Sequence, residues 1–108
     1  MKKKIKPATA LVAFDVIRRA SGWLRRHLPD RFGTAEPAFE PDDNRWCAPV
    51  ILTYPGIVLG QVGELIIDAN TGEIISHTNI EQMKERATKL WERNHAKIEA
   101  AVLQTRNR

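Results

Sequence analysis

The sequence predicts an α+β domain: an N-terminal helix, a three- to four-stranded antiparallel meander, and a long C-terminal helix packed on one sheet face. Three observations predict it. Apolar residues recur at steps of three and four over residues 9–28. They alternate with other residues over 45–54, and turn signals then separate two shorter strand-like runs, 62–69 and 73–77. Helical spacing returns near residue 79 and persists almost to the end. At 108 residues the chain is expected to form a single domain, 1–108, with a basic disordered start at 1–7 and a loose tail at 105–108. A chain of this length buries roughly 65% of its unfolded surface, enough for one core but not two.

The first helix is expected from about Thr9 to His27. Phe14, Ile17, Ser21, Leu24 and Leu28 form its apolar stripe, widened by Ala10, Ala13 and Ala20. Arg18, Arg19, Arg25 and Arg26 fall on the other side. Thr9 can cap the start through its hydroxyl, and Pro29 stands just past the end, where a helix must stop. Gly22, inside the helix, costs about 1 kcal/mol relative to Ala; it either leaves room for a neighbouring element or loosens the last turns.

Residues 29–44 read as a connector punctuated by Pro29, Gly33, Pro37 and Pro41, with Ala38-Phe39-Glu40 as a short edge strand and Asp42-Asp43-Asn44 as a turn. Arg45 to Tyr54 is the first clear strand. Trp46, Ala48, Val50, Leu52 and Tyr54 take one face, and Arg45, Cys47, Pro49, Ile51 and Thr53 the other. Pro49 cannot donate a ladder hydrogen bond, which argues for an edge strand or a bulge. Pro55-Gly56 marks a turn, and Ile57 to Leu59 either belong to a wide loop or extend the next strand. Val62 to Ala69 follows, and Asp68, Asn70, Thr71 and Gly72 reverse the chain: Asp bonds forward to backbone N–H groups and Gly supplies a positive φ. Glu73 to His77 returns as the next strand.

The second helix has two capping boxes to choose from, Thr78 with Glu81 or Asn79 with Gln82; the second is the looser match. Ile80, Met83, Ala87, Leu90, Trp91, Asn94, Ile98, Ala101 and Val102 track one face to about Gln104, roughly 37 Å of helix. A short sheet covers about half of that. The last turns therefore fray or pack on something else, and the expected state is a monomer or a homodimer through this helix.

Net charge is +4, but it is unevenly placed. Residues 1–31 carry a net +7, residues 32–83 a net −7 and residues 84–108 a net +4. Basic ends around an acidic middle fit either internal complementarity or an acidic partner. Arg18, Arg19, Arg25 and Arg26 are the best acidic-partner candidates, although a solvated helix face also explains them. Nucleic acid is one such partner. Trp23, Trp46 and Trp91 serve a shared core or, where exposed, an interface.

Cys47 stands alone, so no internal disulfide or Cys-based zinc site forms. It packs as a small strand residue; a reactive thiol needs exposure and a cation, for which Arg45 is the candidate. The basic start resembles the beginning of a secretory signal, but Asp15 breaks the apolar run from Ala8 to Phe14, so a cytoplasmic location is expected. No stretch approaches the roughly 20 apolar residues of a membrane span. Asp68 to Gly72 fails as a calcium loop, since the glycine comes one place early and no closing glutamate follows. His27, His77 and His95 form no ligand set, and no nucleophile elbow, phosphate loop or paired-carboxylate motif appears. No catalytic residue, cofactor or metal is expected.

The run Val62-Gly63-Glu64-Leu65-Ile66-Ile67-Asp68-Ala69-Asn70-Thr71-Gly72-Glu73-Ile74 resembles the VDA-x-TGEV hairpin of PepSY-type domains, and Trp46 stands where a tryptophan often opens the preceding strand. The resemblance covers residues 45–77. It implies a helix followed by antiparallel strands, and a non-catalytic binding or inhibitory module of the kind found in protease propeptides and secreted proteins. The missing secretory signal, the missing protease and the long C-terminal helix depart from that pattern. The chain also looks like small stand-alone bacterial proteins. The expected function is a non-enzymatic interaction module with a protein partner; the alternative is a nucleic-acid-binding regulator or antitoxin-like protein using the basic helices.

Overall fold

The computed structural model describes residues 12–106. The element order is α1 (Ala13–His27), β1 (Phe32–Thr34), β2 (Ala38–Glu40), β3 (Arg45–Tyr54), β4 (Ile57–Asp68), β5 (Ile74–His77) and α2 (Ile80–Arg106). All strand pairs are antiparallel, in the order β1-β3-β4-β5, with β2 also on β3. The two helices and the antiparallel sheet make this an α+β fold. None of the described helices is long and apolar enough to cross a membrane.

The strand β3 is central, which corrects the edge-strand alternative for Pro49; the irregularity expected as its other alternative lies one residue on, between Val50 and Ile51. β1 pairs with residues 50–52 and β2 with residues 45–47, end to end along one side of β3. Pro49 falls in the gap between them, and its carbonyl accepts the Ala35 N–H at 3.0 Å, so its nitrogen faces the same side. No strand there asks for the donor that proline lacks. Ile57 to Leu59 extend β4, making it 12 residues long. A register shift between Val50 and Ile51 leaves Val62 as an extra residue in β4. Its carbonyl instead accepts from Arg86 Nη1 of α2 at 3.0 Å.

The core lies between the sheet and both helices. Ala48, Val50 and Leu52 of β3 and Val62, Leu65 and Ile67 of β4 meet Val16, Ala20, Trp23 and Leu24 of α1 and Met83 and Ala87 of α2. Each large aliphatic side chain buried there contributes about 1.5–3 kcal/mol.

α1 differs from expectation in start and facing. It begins at Ala13, with Val12 in an extended cap position that makes no side-chain bond; Thr9 lies outside the described residues, as do residues 1–7. Phe14 is 66% exposed, and Ile17 and Ser21 are only half-buried. The buried stripe is Val16, Ala20, Trp23 and Leu24. The apolar arc is wide, and the helix turns it so that the largest side chain, Trp23, goes inward.

α2 spans 27 residues, about 40 Å at the usual rise. It continues through positions 105 and 106, where a tail was expected; residues 107–108 lie outside the described range. Its Asn79 accepts the Gln82 N–H at 3.1 Å, so Asn79, the head of the looser box, is the N-cap. Thr78 is committed elsewhere: its N–H donates to the Glu64 carbonyl and its hydroxyl accepts the Glu64 N–H, both at 3.0 Å. The main core reaches α2 only as far as Leu90. Ile98, two turns on, is buried apart from that cluster, while Leu103 is exposed.

Candidate interaction surfaces

The four arginines expected to meet an acidic partner all lie on the outward side of α1 and are exposed. They form two pairs seven residues apart, Arg18 with Arg25 and Arg19 with Arg26. They do not form one uniform patch. Asp15 lies between the pairs and approaches Arg18 at 4.0 Å. Arg18 sits over the exposed Phe14 ring at 5.9 Å. The Arg19 guanidinium lies against Gly72 of the β4–β5 turn, where an added Cβ would collide with it.

That turn is built from the four expected residues. Asp68 Oδ1 accepts the N–H groups of Asn70 at 2.7 Å and Thr71 at 3.1 Å. The Gly72 N–H donates to the Asp68 carbonyl at 2.9 Å, and Gly72 has φ +79. Thr71 Oγ1 accepts the Glu73 N–H at 3.2 Å. One oxygen of the Asp68 carboxylate thus holds two backbone N–H groups.

Two of the three histidines share one neighbour, and the third lies elsewhere, on α2. His27 and His77 lie against the Trp23 indole, with ring centroids 4.3 and 4.7 Å away, and His95 stacks on Trp91. Among the described residues no group of three His, Cys, Asp or Glu side chains is placed to hold a metal ion. The Cys47 thiol donates to Glu64 Oε1 at 3.3 Å. Burial and then this bond push its pKa up to about 11. Arg45, the cation that would have activated it, is engaged by Glu40 at 2.7 Å and Asp43 at 3.6 Å. The Glu40 hydrogen bond is the main cause raising the arginine's own pKa. Cys47 is thus held as a neutral thiol at physiological pH.

A more organised surface lies at the other end of β3. The connection after α1, the β1 strand, the end of β3 and the second to fourth turns of α2 border an open groove of about 430 Å³. That volume falls in the usual range of binding pockets. Leu52 and Ala87 are its buried part; Phe32 and Tyr54 are half-buried. Trp91 stands at the edge with 44% of its surface exposed. Arg31 and Lys84 are the cations of its lining. Arg31 is well placed: its carbonyl accepts the Thr53 N–H at 2.8 Å and its guanidinium lies 4.8 Å from the Tyr54 ring centroid. Among the described residues Lys84 makes one ion pair, a distant and exposed one with Glu81 at 3.9 Å. Aromatic surface beside two weakly engaged cations suits an apolar side chain next to a carboxylate.

The sequence pointed to the arginines and missed this groove. Of its residues, only Trp91 carried a usable signal, as a large aromatic on a helix that outruns its sheet. Arg31, Phe32 and Tyr54 come together only because β1 pairs back on β3.

No protein-family model matches the chain, and neither a curated protein nor a solved structure matches it.

Proposed function

We propose that this chain is a non-catalytic protein-binding module whose contact site is the groove between β3 and α2. The carrying observation is the partly exposed Trp91, set beside Tyr54 and Phe32 and flanked by Arg31 and Lys84. Exposed tryptophan and tyrosine next to arginine are the side chains that most often dominate protein interfaces. The resemblance of residues 45–77 to PepSY-type domains supports a binding role without chemistry, and the lone neutral cysteine supports a reducing, cytoplasmic setting. The test is affinity purification from native cells with the wild type, an R31E/W91A variant, and an R18E/R25E variant. A partner recovered with the wild type and the α1 variant, and lost with the groove variant, supports the reading. A partner lost only with the α1 variant overturns it.

That last outcome favours the second reading, nucleic-acid binding, whose own observation is the four exposed arginines of α1, in two pairs about Asp15, with exposed Phe14 beside Arg18. Binding of that kind must weaken steeply as salt rises, because each neutralised phosphate releases counterions. An oligonucleotide titration at 50 and 200 mM salt reads it directly.

A further inference from the structure

The groove has a complement on the chain itself. Residues 36–43, Glu-Pro-Ala-Phe-Glu-Pro-Asp-Asp, carry four acids around one aromatic side chain. Phe39 rests on Trp46 with ring centroids 5.2 Å apart and leaves 43% of its surface in water. Glu36, Asp42 and Asp43 are exposed. Arg45 is the cation bonded within this patch, to Glu40 and Asp43, so the patch remains acidic. β2 pairs with the first residues of β3, whereas the groove forms at its last residues, so the two surfaces sit at opposite ends of one strand. Phe39 therefore cannot reach the groove of its own chain.

We infer that the groove of one copy receives Phe39 of a second copy, with the acids around Phe39 facing Arg31 and Lys84. The two surfaces are opposite in charge, each offers a half-exposed aromatic side chain, and each has part of its lining held by pairing with β3: Phe32 by β1 in the groove, and Phe39 by β2 in the patch. One face supplies what the other lacks: an apolar insert with carboxylates, and an apolar seat with cations. The inference rests on the binding role proposed for the groove and adds its occupant in the free protein. A partner that uses the groove must then compete with self-association.

Sedimentation velocity on the full chain tests this at about 100 µM, which detects self-association with a Kd of that order. The wild type is expected to show a concentration-dependent species larger than a monomer. F39S and W91A should each weaken that association at least tenfold while keeping the far-UV circular dichroism of the wild type. Mixing the two variants is the decisive measurement. F39S keeps an intact groove and W91A keeps an intact Phe39, so the mixture must re-form one contact and yield a dimer that neither variant forms alone. A wild type that stays monomeric, or a mixture that stays monomeric, overturns the inference. If a native partner is still lost on R31E/W91A in that case, the groove keeps its binding role and only self-occupancy fails.

Discussion

Met83 of α2 lies directly against Gly63 of β4: a Cβ on Gly63 would come within 2.8 Å of both Cγ and Sδ of Met83. The same atom would meet Thr78 Cβ at 2.8 Å, and Thr78 is held by two hydrogen bonds to Glu64. Methionine can swing away, but Thr78 cannot move without breaking the β4 connection. Gly63→Ala is therefore expected to destabilise by about 1–3 kcal/mol, the usual cost of overfilling a close-packed site. Met83→Ala should cost about 2–5 kcal/mol through the cavity it leaves. The double variant should lose less than the sum, because the two residues are in contact. Urea denaturation of the four proteins measures this coupling; strict additivity would mean that α2 does not seat on Gly63.

The β4–β5 turn gives a second prediction. Gly72 has φ +79, in the left-handed region, and Arg19 covers the place of its missing side chain. Gly72→Ala must adopt that conformation and also displace the guanidinium, so a loss of at least about 1–2 kcal/mol is expected. Asp68→Ala strands the N–H groups of Asn70 and Thr71, and about 1 kcal/mol should be lost. Asp68→Asn keeps an acceptor oxygen and should be milder. Thermal melts rank the three; an Asp68→Asn protein as unstable as Asp68→Ala would show that the charge, and not the acceptor, matters.

Where sequence reading succeeded and failed follows from how local the deciding interaction is. The Asp68 to Gly72 turn is closed by bonds among five consecutive residues, so its function as a turn is legible from those residues alone. Alternation over Arg45–Tyr54 is a local property of a strand, and its buried residues, Ala48, Val50 and Leu52, all fall on one of the two faces that the alternation defines. The facing of α1 is different. Its apolar arc allows several orientations, and the sheet selects the one that buries Val16 and Trp23 and leaves Phe14 outside. The edge reading of Pro49 fails for the same reason, since its tolerance depends on a gap between β1 and β2 that no local pattern encodes. The groove is the extreme case, assembled from residues as far apart as Arg31 and Trp91.

Gly22 is predicted to be dispensable. It lies within α1, and the nearest atom to an added Cβ is Arg26 Nη1 at an ordinary 3.6 Å. Among the described residues no neighbouring element occupies the space, so within them the close-approach reading of this glycine finds no support. Gly22→Ala should raise stability by about 0.5–1 kcal/mol by lowering the entropy of the unfolded chain and favouring the helix. A rise in the melting temperature checks it, and a fall would mean that α1 needs the looseness Gly22 provides.

The start of α2 separates two adjacent polar residues by task. Asn79 caps the helix, whereas Thr78 ties the chain to β4. Asn79→Ala should cost about 1 kcal/mol and speed amide exchange at Gln82. Thr78→Ala should leave the Gln82 amide protected and expose the Glu64 amide, whose acceptor it removes. Residue-resolved hydrogen exchange distinguishes the two patterns. Fast exchange at Glu81 in the Thr78→Ala protein would restore the tighter Thr78–Glu81 box as the working cap.

Cys47 sets the alkaline behaviour of the sheet. Its folded pKa is raised from 9.0 to about 11, first by burial and then by the bond to Glu64. The folded state therefore holds the thiol proton where the unfolded chain has released it. By linkage, the stabilising contribution is fully present below pH 9 and is lost as pH rises from about 9 to 11. Alkylation should show the same window: at pH 9 the native thiol should react far more slowly than the thiol of the urea-unfolded chain, and native reactivity should climb only near pH 11. Glu64→Gln removes the carboxylate that disfavours the thiolate and should shift the native profile to lower pH. A native rate at pH 9 equal to the unfolded rate would show that neither burial nor Glu64 protects the sulfur.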